Sequence, residues 1–213
     1  MILTRILAAV CIFAFVSPRA ERLPSLQTFT SPDGVFQFRY SPSLVTCKRD
    51  EPTREGEPGE WVHGCGLCAT YDRGRNPIIC VVYPRDDFKD KFQFAFAGFV
   101  VEVLEQGTTE QACFKKPDWA DRDFEEVHIN GIPFKFLPYG DPGYGMHIFE
   151  EGKVYRTYHH KKCYELGTRM GITASWVFEE STRRGPFKEF TKEDRNEVNS
   201  RLNEPIKTFK FLR

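Results

Sequence analysis

The sequence predicts an α+β fold in which helices pack on an antiparallel sheet and disulfide bonds brace the chain. Many of the 20 phenylalanines lie in segments where apolar and polar residues alternate, which is the period of a β-strand. Turn signals separate these segments, and regular helical crossovers of the kind that parallel strands need are missing from the middle of the chain. An even number of cysteines follows an N-terminal export signal, a pattern typical of disulfide-bonded secreted domains.

Residues 1–20 have the features of a secretory leader. Arg5 supplies a basic start, and the apolar run from Ile6 to Val16 has the length of a signal-peptide core but is too short to span a membrane. We predict cleavage after Ala20, so that the mature chain begins at Glu21. No second hydrophobic run follows, which predicts a secreted or periplasmic protein with no integral membrane segment after processing.

The mature chain, 21–213, has the length of one domain with a sizeable core. Loss of Arg5 and Arg19 with the leader lowers the basic count from 30 to 28 against 30 acidic residues, a net charge of −2. Such a balance predicts no electrostatic footprint for nucleic acid or for an anionic membrane.

Turn residues place the first strands. A short strand at 27–30, a Pro-Asp-Gly turn at 32–34 and an alternating strand at 35–40 predict a hairpin. The stretch 47–80 contains a charged loop at 48–60, which is too polar to pack. Buried strands are predicted at 78–83 and 94–104.

The second half of the chain predicts two further hairpins and two helices. A short helix is expected around 108–116, and Asn130-Gly131 joins strands at 127–129 and 132–136. Strands at 154–158 and 163–172 are joined by His-His-Lys-Lys. Thr191 caps the best-defined helix, Asp194 reaches back to its start, and Val198 and Leu202 line one face. We expect Pro205 to end this helix and 206–212 to form a final strand.

Several of these segments resemble the PsbP-like and Mog1-like domain family. FTSPDGVFQFRYSPSL at 29–44 is similar to the opening of such domains, and INGIPFKF, VYRTYHHKKCYEL and a helix ending in IKTFKFL follow in the family's order. The resemblance implies an α/β/α sandwich around an antiparallel sheet and a non-enzymatic binding or assembly role. It supplies no common set of functional residues. The cysteine-rich stretch 47–80 departs from the family pattern, as do Cys113 and Cys163.

Six cysteines remain after the leader, and the simplest prediction is that all form structural disulfides. Four of them lie within 47–80, so that Cys113 and Cys163 remain as the natural third pair. The full set of disulfide candidates is Cys47, Cys65, Cys68, Cys80, Cys113 and Cys163.

Two other kinds of chemistry fit the same cysteines. Cys65 and Cys68 form a Cys-x-x-Cys pair, which is reactive in thiol–disulfide oxidoreductases when a helix follows directly. The sequence after Cys68 has no apolar stripe for such a helix. His63, Cys65, Cys68 and Cys80 could also supply four tetrahedral zinc ligands, although an oxidising compartment favours disulfides. We therefore expect no metal and no cofactor.

The connection 137–146, LPYGDPGYGM, is a candidate recognition loop because it presents Tyr139 and Tyr144, and the charged loop 48–60 is the other candidate binding surface. No nucleophile–base pattern or phosphate loop is evident. The leading hypothesis is an exported, non-enzymatic binding or accessory protein whose partner is a protein or small molecule. The alternatives are an extracytoplasmic thiol–disulfide oxidoreductase using Cys65 and Cys68, and a structural envelope component.

Overall fold

The computed structural model describes residues 25–47, 75–88, 90–91, 93–141, 148–174 and 188–212, and it confirms the α+β class. Its strands are β1 (Gln27–Thr30), β2 (Phe36–Tyr40), β3 (Val45–Cys47), β4 (Arg75–Val82), β5 (Phe94–Leu104), β6 (Glu125–Ile129), β7 (Ile132–Asp141), β8 (Ile148–His159), β9 (Lys162–Thr173) and β10 (Lys210–Phe211). Its helices are a 3-10 turn (Arg85–Phe88), the one-turn α1 (Glu110–Cys113) and the long α2 (Lys192–Thr208).

The strands form two antiparallel sheets. Seven strands pair in the order β3-β4-β5-β9-β8-β7-β6, and three pair in the order β1-β2-β10. The small sheet and α2 lie on one face of the large sheet, which we call the front face. On the opposite face, the back face, lie α1 and the connection 105–124, attached through Cys163 of β9. Helices therefore flank the large sheet on both sides, as the fold prediction requires.

Alternating aromatic residues form the core between the front face and the small sheet. Phe36 and Phe38 of β2 are fully buried, and Phe38 meets Phe99 of β5 edge-on with ring centroids 5.1 Å apart. Phe36 meets Tyr164 of β9 in the same way, at 6.1 Å. The intervening residues Gln37 and Arg39 are less buried, so the period of two in the sequence is the period of burial.

Helix α2 begins where its capping residues predict. The Thr191 hydroxyl accepts a hydrogen bond from the Asp194 amide at 3.2 Å, and the Asp194 carboxylate accepts from the Thr191 amide at 2.7 Å. These reciprocal bonds satisfy two amides that a helix start otherwise leaves unpaired. Val198 and Leu202 are buried against the core, as predicted.

The expectation that Pro205 ends α2 is wrong. The helix continues to Thr208, and β10 is correspondingly limited to Lys210–Phe211. Proline costs a helix the hydrogen bond that its missing N–H would make. Here the lost hydrogen bond lies near the end of the helix, and the Pro205 ring is buried in the core. The Thr208 hydroxyl also donates to the Glu204 carbonyl at 2.7 Å in this last turn.

The predicted hairpins are confirmed, with some strands longer than expected. Asn130 and Gly131 both have positive φ angles, 50° and 79°, which is the geometry of a two-residue hairpin turn. The β8–β9 turn consists of His160 and Lys161, again with positive φ. Strand β4 begins at Arg75 rather than near residue 78, and β7 extends to Asp141.

Candidate binding site

The back face of the large sheet carries a layer of buried charged residues. Glu102 of β5 and Glu165 of β9 are paired in register, and Arg156 of β8 pairs with Glu165 from the other side. All three are at least nine-tenths buried. Because charges are rarely buried without partners, these contacts decide what the layer can do.

Arg156 is held by three hydrogen bonds. Its Nε donates to Glu165 Oε2 at 2.7 Å, and its Nη1 donates to the carbonyls of Cys113 and Lys115 at 3.3 and 3.0 Å. One guanidinium thus neutralises a buried carboxylate and satisfies carbonyl groups at the end of α1. Since Arg156 and Glu165 are both shielded from solvent, and Arg156 binds two carbonyls of the 105–124 connection, this pair attaches the connection to the sheet.

A disulfide bond attaches the same connection to β9. Cys113 and Cys163 are joined, with Cα atoms 5.3 Å apart, and both are fully buried. Gly107 lies directly against this bond, because a Cβ atom built on it would be 2.2 Å from Cβ of Cys163. Any larger residue at 107 would displace the disulfide or the connection.

Further along the back face, four residues form a surface that we call the aromatic patch: Trp119, Tyr139, Glu150 and Arg169. The Trp119 and Tyr139 rings meet edge-to-face, with centroids 5.3 Å apart and planes at 87°. The Arg169 guanidinium lies 4.7 Å above the Tyr139 ring, a cation–π contact. The Tyr139 hydroxyl donates to Glu150 Oε2 at 3.2 Å, and Arg169 Nη1 lies 3.9 Å from the same oxygen.

A glycine of β8 lies at the centre of the patch in the strand register. Gly152 is paired with Tyr139 of β7 on one side and with Arg169 of β9 on the other. A Cβ atom at this position would be 1.9 Å from the Thr168 carbonyl oxygen, so the missing side chain lets the backbone of β9 approach closely here.

Trp119 is the exposed member of the patch. Its side chain is 44% exposed, whereas Tyr139 is half-buried. It lies on the connection 105–124, next to the exposed acidic residues Asp118, Asp121 and Asp123. A rigid, exposed indole with an acidic surround is suited to binding, because a ring that is already fixed loses little conformational entropy on contact.

No protein-family model matches the chain, and no curated protein matches it. Among solved structures, the chain is similar to the solution structure of cyanobacterial PsbP (CyanoP) from Synechocystis sp. PCC 6803, with a TM-score of 0.40 and 12% identity over 92% of this chain and 98% of that one. It is also similar to the Saccharomyces cerevisiae Ran-binding protein Mog1p, with a TM-score of 0.38 and 10% identity over 87% of this chain and 95% of that one. Such low TM-scores and identities carry no argument about function.

Tyr139 lies in a different setting from the one the sequence predicts. It belongs to strand β7 rather than to a loop, because β7 continues through Gly140 to Asp141 opposite β8. Its ring and hydroxyl are occupied by Trp119, Arg169 and Glu150. Tyr139 therefore contacts Trp119 from a strand of the large sheet. Tyr144 lies outside the described residues.

The structure describes four of the six disulfide candidates. Cys113 and Cys163 are bonded to each other, which is the pair that the sequence analysis set aside as the third bridge. Cys47 and Cys80 are paired in register on the back face, and each is disulfide-bonded. Cys65, Cys68, the charged loop 48–60, and the cleavage site at Ala20 and Glu21 lie outside the described residues.

The zinc hypothesis loses one of its four ligands. Cys80 is disulfide-bonded, so its sulfur is not a thiolate that could bind a metal. His63, Cys65 and Cys68 lie outside the described residues. Within the described ranges, no group of three or more His, Cys, Asp or Glu residues is arranged to hold a metal ion. No helix in that part of the chain is long and apolar enough to cross a membrane.

A second polar cluster lies where α2 passes the 3-10 turn. The Arg201 guanidinium lies 5.7 Å from the centre of the Tyr83 ring, 3.9 Å from the Asp87 carboxylate, and donates to the Ser43 hydroxyl at 2.9 Å. Burial raises the pKa of Tyr83 well above its ordinary value, and the charge of Arg201 only partly opposes this effect. Tyr83 therefore stays protonated at neutral pH and is unsuited to act as a base.

Nothing in the local sequence marks Trp119 or Arg169 as a site residue. One signal was available for Glu150: it neighbours Glu151, and adjacent strand residues point to opposite faces. The structure confirms this separation, since Glu150 lies near Tyr139 on the back face, whereas Glu151 contacts Arg195 of α2 at 3.3 Å. No comparable local pattern marks Trp119.

Proposed function

We propose that this chain is an exported, non-enzymatic binding or accessory protein that recognises a protein partner through the aromatic patch. The observation that carries the proposal is Trp119, which is 44% exposed yet fixed edge-on against Tyr139. Exposed indoles held in one orientation are typical anchors of protein interfaces.

The charge around Trp119 favours a partner with a basic surface. The segment 118–126 contains five exposed acidic residues and one basic residue, Arg122. Asp123 and Glu126 are ion-paired with Lys116 and Lys135, so the acidic groups that a partner would meet are those of Asp118, Asp121 and Glu125. Opposite charge on a partner would increase the rate of encounter, and Trp119 would then supply contact area. A structural envelope component would need no such exposed anchor.

Export is supported by the leader at residues 1–20 and by the disulfide chemistry. Cytosolic proteins are rarely disulfide-bonded, whereas Cys47, Cys80, Cys113 and Cys163 all are. The absence of catalysis is supported by the buried Arg156–Glu165 pair, whose groups are occupied with each other and shielded from solvent.

The test is partner capture from an extract of the protein's own compartment, with Trp119→Ala compared with Phe149→Ala. Phe149 is a matched control because it is 46% exposed and lies on the same sheet but outside the aromatic patch. We expect Trp119→Ala to lose the partners that wild type and Phe149→Ala retain, while all three proteins unfold at similar temperatures. Equal capture by Trp119→Ala and wild type would refute the proposal.

A further inference from the structure

The tip of the β8–β9 hairpin meets the last strand at one end of the molecule. The His159 ring stacks on the Phe211 ring, with centroids 3.7 Å apart and planes at 13°. Phe211 lies between Lys210 and Leu212, which are both exposed because adjacent residues of a strand point to opposite faces. The Leu212 amide also donates to the Val35 carbonyl at 2.7 Å. We call the exposed residues at this end the basic tip: His160, Lys161, Lys162, Lys210 and Leu212.

The basic tip has an excess of positive charge. Lys161, Lys162 and Lys210 form no ion pair within 4.0 Å with any residue in the part of the chain that the structure describes. Asp33 is an acidic residue close enough to Lys162 to feel its charge. A hydrogen bond from Ser31 lowers the pKa of Asp33, and the nearby charge of Lys162 lowers it further.

Lys207, the lysine that precedes Lys210 in the sequence, does not add to this excess of positive charge. Its ammonium group lies 3.3 Å from the Glu204 carboxylate, which neutralises it. The basic tip thus combines three unpaired ammonium groups with one carboxylate nearby. The near-zero charge of the whole chain conceals this local imbalance, because Lys161 and Lys210 are far apart in sequence.

The two-residue turn at the basic tip has a backbone conformation that glycine adopts with less strain than the residues present. His160 and Lys161 have φ angles of 47° and 61°, in the left-handed region that side chains with a Cβ disfavour. The neighbouring hairpin solves the same geometry with Asn130 and Gly131, the residues that such turns prefer. Strain of this kind tends to be retained where the side chains have a role.

We propose that the basic tip docks on the surface of a bilayer rich in anionic lipid headgroups. The lysines match the negative surface, while Leu212, 40% exposed beside Lys210, inserts among the headgroups. A soluble polyanion would use the lysines but gain nothing from Leu212. The proposal is independent of the aromatic patch, which lies on the back face of the sheet, so either can fail without the other.

The experiment is co-sedimentation of the purified protein with vesicles of phosphatidylcholine and phosphatidylglycerol in equal parts, compared with vesicles of phosphatidylcholine alone. We expect wild type to sediment with the anionic vesicles only. Since each lysine near an anionic surface contributes roughly fivefold to binding, reversing two of them in Lys161→Glu/Lys162→Glu should lower the partition coefficient at least roughly 25-fold. Any leader that remains on the chain is common to all variants, so differences between them report the basic tip.

Two further variants show whether the loss of binding is specific to the basic tip and whether Leu212 contributes to it. Lys115→Glu/Lys116→Glu makes the same charge change at an exposed lysine pair on the 105–124 connection and should bind as wild type does. Leu212→Ser should weaken binding severalfold. The proposal is overturned if wild type does not prefer anionic vesicles, or if the two charge-reversed variants lose binding equally. Full binding by Leu212→Ser would overturn the insertion of Leu212, on which the choice of a bilayer over a soluble polyanion depends.

Discussion

At the scale of single residues, Asp194 connects the start of α2 to the chain segment that precedes β5. Its Oδ2 atom accepts hydrogen bonds from the Lys91 ammonium at 2.7 Å, the Thr191 amide at 2.7 Å and the Thr191 hydroxyl at 3.0 Å. Lys91 also donates to the Glu189 carbonyl at 3.1 Å. A single carboxylate therefore holds both the helix cap and a long-range contact.

These contacts make the stability of the protein depend on the charge of Asp194. Burial raises the pKa of Asp194, but the hydrogen bonds from Lys91 and Thr191 outweigh it and leave the pKa below the ordinary value of 3.8. The charged form is thus favoured by folding. The stabilisation that the charged carboxylate provides is fully present at a pH above the pKa of Asp194 in the unfolded chain. It is lost as the pH falls through the lower pKa of Asp194 in the folded protein.

We therefore predict that Asp194→Asn lowers the free energy of unfolding by about 1 kcal/mol at neutral pH. Asparagine can still accept the cap hydrogen bonds, so the loss reports mainly the charge. The deficit should shrink as the pH falls through the lowered pKa of Asp194, which urea unfolding across that range can measure. Asp118→Asn, at an exposed position, is the control and should show no deficit. A deficit that stays constant with pH would contradict the assignment.

At the scale of elements, the two hairpin tips offer a matched comparison of turn chemistry. Lys161 has a left-handed backbone that costs a residue with a Cβ about 1 kcal/mol, whereas Gly131 occupies the equivalent position at little cost. Lys161→Gly should therefore raise the free energy of unfolding by about 1 kcal/mol. The reciprocal Gly131→Lys should lower it, because no atom lies within 4 Å of the added Cβ and the cost is conformational. Urea denaturation of both variants tests the pair, and changes of the same sign would refute the explanation.

Most elements could be predicted from the sequence because their signals are local. Strands β1 and β5 have the predicted bounds, 27–30 and 94–104, and α2 begins next to Thr191, because turn residues and caps act on their immediate neighbours. Pro205 was misjudged because its tolerance depends on tertiary burial. The end of β7 was misjudged because pairing with β8 overrides the Pro and Gly residues that suggest a loop.

The candidate site was much less predictable than the fold. Trp119, Tyr139 and Arg169 come from a connection and from two strands that do not pair with each other. They meet because β8 separates β7 from β9 and has Gly152 at the crossing point. That register depends on long-range strand pairing, which no local pattern encodes, so only the half-buried Tyr139 was identified.

At the scale of the whole molecule, covalent and ionic contacts attach the back-face connection to a sheet whose other face is packed by aromatic residues. The Cys113–Cys163 bond spans 50 residues, and in the chain-entropy account a loop of that size stabilises the fold by about 4 kcal/mol. The Arg156–Glu165 pair lies beside it and binds the carbonyls of the same connection. Loss of the bond would release the segment that presents Trp119.

If bracing is the role of the sulfurs, the native protein contains no free thiol. We predict that iodoacetamide adds nothing to protein taken from its own compartment and unfolded without reductant, and that mass spectrometry of its peptides recovers the bond between Cys113 and Cys163. The same sample after reduction should take up the reagent at all six cysteines of the mature chain, which controls for access. Selective alkylation of Cys65 and Cys68 would instead indicate a reduced Cys-x-x-Cys pair and favour the oxidoreductase alternative. Because a structural bridge stays oxidised at rest, a resting reduced pair at Cys65 and Cys68 would contradict bracing by these two sulfurs, and the measurement needs no knowledge of any partner.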